Sequence, residues 1–170
     1  MSRLLGIDLG ERRIGLAIAE DDGSAARPYA TLRRGPGLAA DAAALQAIIN
    51  AQDIAELVVG LPLDVSGGEG SQAGLTRTWA EAVGDRLRLP LSFRDERLSS
   101  HLAETRLGPM KRGRSGGPPS KTQRDTYRAR VDREAAAIIL QDELDTRAGH
   151  RSFLPREPRA PSTPDPNEVS

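Results

Sequence analysis

Short apolar runs separated by polar or glycine-rich links occupy the first third of the chain. Residues 4–9 form one such run, which Gly10 ends, and residues 14–19 form a second one after a short polar link. Two apolar runs this close together are typical of a β-hairpin. Residues 29–32 predict a third, shorter strand after the turn signal Asp-Asp-Gly-Ser. We therefore expect the chain to open with antiparallel strands.

The middle of the chain alternates between helical and extended patterns. Residues 38–52 are rich in alanine and carry Leu and Ile at helical spacing, which predicts a helix. The run 57–60 suits a strand buried on both faces, and residues 89–94 predict another strand. Between them, Ser71 is the candidate N-cap of a second helix. The apolar stripe of that helix contains Leu75, Trp79, Ala82, Val83 and Leu87.

The last third predicts two helices around a basic loop. Ser99 or Ser100 is the candidate cap of a short helix that ends near residue 107, and residues 125–146 predict a long helix. Residues 108–122 are rich in Gly, Pro, Lys and Arg, which favours a flexible loop. The order of the elements predicts an α/β fold with a mixed five-stranded sheet and flanking helices.

Chain length and the distribution of proline indicate the domain organisation. With 170 residues the chain is long enough for one ordinary domain. We expect that domain to cover residues 1–148. Residues 149–170 carry five prolines among polar residues and cannot bury enough apolar surface to order themselves. We expect them to form a disordered Pro-rich C-terminal tail.

Composition excludes some classes of chemistry and leaves others open. The chain has no cysteine, which excludes disulfides, thiolate nucleophiles and cysteine-ligated zinc. Its formal net charge is zero, so a nucleic-acid partner must be argued from local charge clusters. We see no signal peptide and no apolar stretch near the ~18 residues of a membrane span. We therefore expect a cytoplasmic protein with no membrane partner.

Acidic residues at three places in the predicted fold are candidates for metal chemistry because of where they lie. Asp8 interrupts a buried strand, Asp95 and Glu96 end another strand, and Asp132 lies at the border of the apolar stripe of the long helix. A cluster of carboxylates favours a hard cation such as Mg²⁺ or Mn²⁺. Each residue also has an ordinary alternative: a turn carboxylate, a salt bridge with a neighbouring arginine, or a solvated helix position. Spacing alone does not choose between these interpretations.

Four segments, in order, resemble the YqgF family. The segment GIDLGERRIGLA begins at Gly6, VGLPL with a following GEG begins at Val59, DERLSS begins at Asp95, and VDREAA begins at Val131. The resemblance spans about residues 4–144 and implies a ribonuclease H-like fold, akin to that of RuvC-type Holliday junction resolvases. It also implies trimming of the 5′ end of precursor 16S rRNA, with Asp8, Glu96 and Asp132 as the catalytic, metal-binding carboxylates.

One departure from the resolvase pattern concerns the strand that ends at Gly60. Resolvases place an acidic residue at the end of this strand, whereas the nearest one here is Asp64. Despite this departure, Glu96 stays the second carboxylate that the resemblance implies.

Basic residues cluster near the candidate acids and in the loop before the long helix. Arginines at a hairpin turn, beside Glu96 and on a Gly/Pro-rich loop can follow a phosphate backbone, which makes binding dependent on salt. An exposed, solvated loop is the alternative. The residues that we expect to bind nucleic acid are Arg12, Arg13, Arg97, Lys111, Arg112, Arg114 and Lys121. The helical spacing of Trp79 favours a place in the core over a role in base stacking.

These observations lead to one preferred function and three alternatives. We expect a hydrolase acting on ester bonds, a Mg²⁺- or Mn²⁺-dependent nuclease whose partner is pre-16S rRNA. A Holliday junction resolvase-like enzyme would use the same site on branched DNA and would gain from a homodimer, so monomer and homodimer both stay open. A non-catalytic RNA-binding assembly factor is the second alternative. An actin-like ATPase shares only the opening motif, and the chain shows no second copy of that domain.

Overall fold

The structure is a computed structural model that describes residues 2–64 and 66–153. Five strands form one sheet: β1 Arg3–Leu9, β2 Arg13–Glu20, β3 Arg27–Arg33, β4 Ile54–Leu61 and β5 Leu91–Asp95. Four helices complete the fold: α1 Leu38–Gln52, α2 Ser71–Leu87, α3 Ser99–Leu107 and α4 Lys121–Phe153. The strand order is β3-β2-β1-β4-β5, antiparallel among the first three strands and parallel from β1 through β4 to β5. This confirms the mixed five-stranded sheet.

The two faces of the sheet carry side chains of different size. Large residues such as Leu5, Ile7 and Leu16 face α1 and α2, where they pack with Leu45 and Val83 in the main core. Burying each such side chain contributes roughly 1.5–3 kcal/mol. The opposite face is lined mostly by small residues, which lets α4 lie close to the sheet. That face includes Leu4, Gly6, Gly15, Ala17 and Ala19, with Ala136 and Leu140 from α4 packed against it.

Two glycines bring the backbone of α4 into contact with the strands. A Cβ atom on Gly6 would lie 2.8 Å from the carbonyl oxygen of Ala136. A Cβ atom on Gly15 would lie 2.0 Å from the carbonyl oxygen of Asp132. Real Cβ atoms do not tolerate such distances, so only glycine allows this approach. The contact fixes where Asp132 lies above the sheet.

Several boundaries differ from the expectation for a physical reason. The helix α4 begins at Lys121, four residues before the predicted start, because Ser120 and Gln123 form a reciprocal capping box. The backbone N–H of Ser120 donates to Gln123 Oε1 at 2.7 Å, and that of Gln123 donates to Ser120 Oγ at 3.2 Å. At its other end α4 reaches Phe153 instead of residue 146. The predicted tail otherwise lies outside the described residues.

Two expectations about helix starts and one about packing were wrong. Gly70 and Leu98, not serines, occupy the N-cap positions of α2 and α3, and neither provides a side-chain cap. Leu75 is 67% exposed, because α2 turns Trp79 and Val83 toward the sheet instead. Within the described part of the chain, no helix has the length and apolar character needed to cross a membrane.

Candidate active site

Asp8 lies near the end of β1 on the face covered by α4. Alternation along the strand places it on the same face as Leu4 and Gly6. It stands opposite Gly15 of β2. Burial raises the pKa of Asp8 to about 6, the hydrogen bond with Glu96 opposes this rise, and the negative charge of Asp132 adds to it. Asp8 therefore forms a hydrogen bond with Glu96 and lies close enough to Asp132 to be affected by its charge.

Glu96 follows β5 and is held by its backbone. Its N–H donates to the carbonyl of Leu61 at 3.0 Å, while its carbonyl accepts from the N–H and Oγ of Ser99 at 3.0 and 2.9 Å. Burial raises the pKa of Glu96 to about 9, and the charge of Asp8 raises it further. The Asp8 and Glu96 carboxyls can share a hydrogen bond only while one carries a proton. Oε2 of Glu96 is buried and has no hydrogen-bond partner among the described residues.

Asp132 enters the site from α4 and is paired with Arg13. The Arg13 Nε donates to Oδ2 of Asp132 at 2.6 Å, and both side chains are partly buried. The link joins the β1–β2 turn to the helix across 119 positions of sequence. Arg13 was expected to bind phosphate; in the structure it neutralises one of the three carboxylates.

The three carboxylates suit a divalent cation, although they do not form a ready-made cage. Within residues 2–64 and 66–153, no three Asp, Glu, His or Cys side chains are arranged to hold a metal ion together. The carboxylate of Asp132 is engaged by Arg13 in the structure. Oε2 of Glu96 has no partner among the described residues, and the pKa values of Asp8 and Glu96 are raised. Both features are expected of buried carboxylates that have no cation beside them. Carboxylate oxygens are the ligands that Mg²⁺ and Mn²⁺ prefer.

The sequence of the whole domain matches a known family. The family model of RuvX, described as a Holliday junction resolvase, matches residues 2–146. The chain belongs to the RuvX family. A relative from Anaeromyxobacter dehalogenans, named "Putative pre-16S rRNA nuclease", is 43% identical over 146 residues, or 86% of this chain and 98% of the relative. A relative of the same name from Chloroflexus aurantiacus is 37% identical and covers 85% of this chain and 87% of its own. The resemblance to the YqgF family is thereby confirmed.

The fold of this RuvX protein is ribonuclease H-like. Its structure matches that of Thermus thermophilus RuvC in complex with a Holliday junction substrate, with a TM-score of 0.50 at 14% identity. The match covers 88% of this chain and 97% of RuvC. RuvX membership makes the chain a nuclease, a hydrolase of phosphodiester bonds.

A groove of about 780 Å³ on the β3 side of this RuvX fold is lined by Arg13, the ion-pair partner of Asp132. Three predicted nucleic-acid ligands, Arg12, Arg13 and Lys121, line it. Arg33 and Arg34 also line it and were not predicted. Antiparallel pairing offered a signal for them, because Arg33 stands opposite Arg13 in the sheet. Glu11 and Asp125 are the acidic residues among those that line the groove, so its charge is positive.

The remaining predicted ligands lie elsewhere. Arg97 is exposed and pairs with Asp95, with Nε 2.7 Å from Oδ2. Lys111, Arg112 and Arg114 are exposed on the segment before α4, and none of them lines the groove of Arg13. Their contact with nucleic acid stays a prediction.

A buried hydrogen-bond network supports the turn that carries Arg12 and Arg13. Asp41 of α1 is 2% exposed and accepts from Gly35 N at 2.9 Å, Trp79 Nε1 at 3.2 Å and Arg34 Nε at 3.3 Å. Arg34 also donates to the carbonyl of Gly10 at 3.2 Å. The network ties both helices of one layer to the end of the β1–β2 turn. Trp79 is buried, as the sequence predicted.

Proposed function

We propose that this RuvX protein is a divalent-metal-dependent nuclease that processes the 5′ end of pre-16S rRNA. The observation that carries the proposal is the meeting of Asp8, Glu96 and Asp132, from three separate parts of the chain, beside a positively charged groove. Two relatives that bear the name of a pre-16S rRNA nuclease support the choice of substrate. Because that substrate is a ribosomal RNA precursor, we place the activity in the cytoplasm.

The carboxylates would hold Mg²⁺ or Mn²⁺. Such an ion supplies an activated water nucleophile and stabilises the charge that develops on the leaving oxygen. The chain itself contributes two changes. Asp8 and Glu96 give up the proton that burial and mutual repulsion otherwise retain on the pair. Arg13 exchanges Asp132 for a substrate phosphate, which frees the third carboxylate while the arginine keeps an anionic partner.

The groove would bind the phosphates that flank the cleavage point. Arg12, Arg33 and Lys121 are exposed or partly exposed cations on its wall. Each phosphate contact releases about one condensed counterion, so neutralising one contact lowers the slope of log K against log salt by about 1. We expect Arg33→Gln and Lys121→Gln to weaken binding of an RNA substrate in this way and to leave kcat nearly unchanged. Arg86→Gln, at an exposed position of α2, is the matched control and should change neither the salt dependence nor kcat.

Branched DNA is the second candidate substrate. The RuvX family description supports it. A junction must be cut on two strands, which favours a homodimer, whereas trimming one RNA end needs a single site and suits a monomer.

One set of nuclease assays separates the candidates. The wild-type protein would be mixed with a 5′-extended pre-16S RNA fragment and with a four-way DNA junction, each with Mn²⁺, with Mg²⁺ and with chelator. We expect metal-dependent cleavage of the RNA, loss of cleavage in Asp8→Asn, and wild-type cleavage in the control Asp85→Asn at an exposed position of α2.

Other outcomes of the same assays would contradict the proposal. Symmetric cutting of the junction with intact RNA would replace the substrate by branched DNA. Full metal-dependent cleavage by Asp8→Asn would refute the catalytic assignment. Tight RNA binding without cleavage under every metal condition would favour a non-catalytic assembly factor.

A further inference from the structure

Gly60, at the end of β4, has no room for a side chain. A Cβ atom there would lie 2.5 Å from Oε2 of Glu96, 2.5 Å from Cδ1 of Ile139 and 3.0 Å from Cβ of Glu96. Gly60 is not among the glycines with positive φ, so its backbone conformation is open to any residue. The requirement for glycine is therefore one of space, and most of that space is filled by the side chain of Glu96.

Glu96 cannot move aside easily because its backbone is fixed on both sides. The bond from its N–H to Leu61 O ties it to the residue that follows Gly60. Ser99 holds its carbonyl through two donors. The neighbouring strands are also in register, with Gly60 opposite Arg94 and Leu61 opposite Asp95. A side chain at position 60 would thus push the carboxylate of Glu96 and not its backbone.

We infer that Gly60 is a positioning residue whose missing side chain creates the place in which the Glu96 carboxylate meets Asp8. Position 60 and the Glu96 side chain compete for one volume, so the site can take its second carboxylate from β4 or from the segment after β5, but not from both. An aspartate at position 60 carries its oxygens two bonds beyond Cβ, close to where Oε2 of Glu96 now lies. The catalytic part of this inference rests on the proposed function; the steric part does not.

Thermal unfolding of the full-length protein tests the steric part. Gly60→Ala should lower Tm in the wild type and also in an Ile139→Val background, which removes the Cδ1 contact. At least half of that loss should disappear when Glu96→Ala is added. Gly84→Ala is the control, because a Cβ on that buried glycine of α2 would meet its neighbours at 3.7–3.8 Å, an ordinary contact. A loss that vanishes with Ile139→Val alone, or that persists after Glu96→Ala, would overturn the inference.

Calorimetric titration with Mn²⁺ tests the link to the active site. Gly60→Ala with Ile139→Val should bind Mn²⁺ at least tenfold more weakly than Ile139→Val alone. Glu96→Ala should show a similar loss, and Gly60→Asp with Glu96→Ala should regain at least part of it together with RNA cleavage. A simple packing role for Gly60 predicts no such rescue. Unchanged Mn²⁺ affinity in the Gly60→Ala pair would contradict the positioning role.

The two measurements distinguish failure of this inference from failure of the proposed function. If the wild type binds no Mn²⁺ and cleaves no RNA, the proposed function fails, while the Tm comparison still decides the steric part. If the wild type binds Mn²⁺ and cleaves RNA but the Gly60 variants behave like their backgrounds, only the role of Gly60 fails. If Gly60→Asp with Glu96→Ala does not fold, the alanine variants still decide the inference.

Discussion

Replacing Asp8 by asparagine should stabilise the metal-free protein while it abolishes cleavage. Asparagine keeps the shape of the side chain and can donate to Glu96, but it carries no charge. Burial and the negative charge of Asp132 make the ionised form of Asp8 costly, and the hydrogen bond with Glu96 offsets part of that cost. Removing the charge therefore relieves a cost that the folded protein carries whenever no cation is present.

The pKa values give the sign and size of this effect. Burial raises the pKa of Asp8 from its ordinary 3.8 to about 6. A tenfold change in an ionisation constant corresponds to about 1.4 kcal/mol, so the ionised carboxylate costs the folded state about 3 kcal/mol. The folded form holds its proton to higher pH than the unfolded chain, so stability falls as pH rises between about 4 and 6. The full cost is present above about pH 7.

Urea unfolding in the presence of chelator measures this cost. At pH 8 the Asp8→Asn midpoint should exceed that of the wild type by about 1–2 M, since ~3 kcal/mol is divided by an m-value of a few kcal/mol per molar at most. Near pH 4.5 the difference should shrink to about 1 kcal/mol. Asp85→Asn, on an exposed turn of α2, should change little at either pH. A wild type that is as stable as Asp8→Asn at pH 8 would refute the reasoning.

Three further substitutions have predictable effects on stability. Gly15→Ala should lower the free energy of unfolding, measured with urea, by about 3 kcal/mol or more. The added Cβ would lie 2.0 Å from the backbone of Asp132, so α4 would have to move away from the sheet. A near-neutral result would contradict this packing. Asp41→Ala should cost about 3–5 kcal/mol and shift the fluorescence of Trp79, the single tryptophan, to the red; unchanged emission would argue against the network. Arg13→Gln should lower the free energy of unfolding in chelator by about 1–3 kcal/mol, and Mn²⁺ should restore part of that loss. If Mn²⁺ stabilises the variant no more than the wild type, Arg13 does not act as the counter-ion of Asp132.

The strands and α1 could be predicted from sequence because local pattern and tertiary structure agree there. The predicted bounds of α1, residues 38–52, coincide with the observed Leu38–Gln52. The early apolar runs lie within β1 and β2, and their pairing is the hairpin that the short link indicates. A strand buried between two layers must be apolar throughout, and such a run is visible without knowledge of the fold.

Other features depended on contacts that sequence does not show. The early start of α4 required Ser120 and Gln123 to cap each other, a signal hidden in a segment dominated by Gly and Pro. Leu75 has the spacing of the apolar stripe, yet it is exposed because it does not lie on the face of α2 that packs against the sheet. Proximity of Arg33 to Arg13 follows only once the pairing of β2 and β3 is known.

In the candidate site, too, some features could be predicted from local sequence and others depend on tertiary contacts. Asp8 could be singled out locally, because a carboxylate in a buried strand needs a reason. Its meeting with Glu96 and Asp132 depends on β4 lying beside β1 and on glycines that let α4 touch the sheet. Neither the adjacency of these strands nor the close approach of α4 can be predicted from the spacing of residues along the chain. The three carboxylates were therefore grouped together on the basis of the family resemblance. The pairing of Arg13 with Asp132 was not foreseen from either source.

Anomalous diffraction from crystals of the wild-type protein soaked in Mn²⁺ would show whether Asp8, Glu96 and Asp132 bind the metal. We expect a manganese peak bound by carboxylate oxygens of Asp8 and Glu96, with Asp132 turned toward it and away from Arg13. The soak would use a Mn²⁺ concentration at which the same preparation cleaves RNA. Active protein whose crystals place manganese at other residues, or show none beside these carboxylates, would contradict the account.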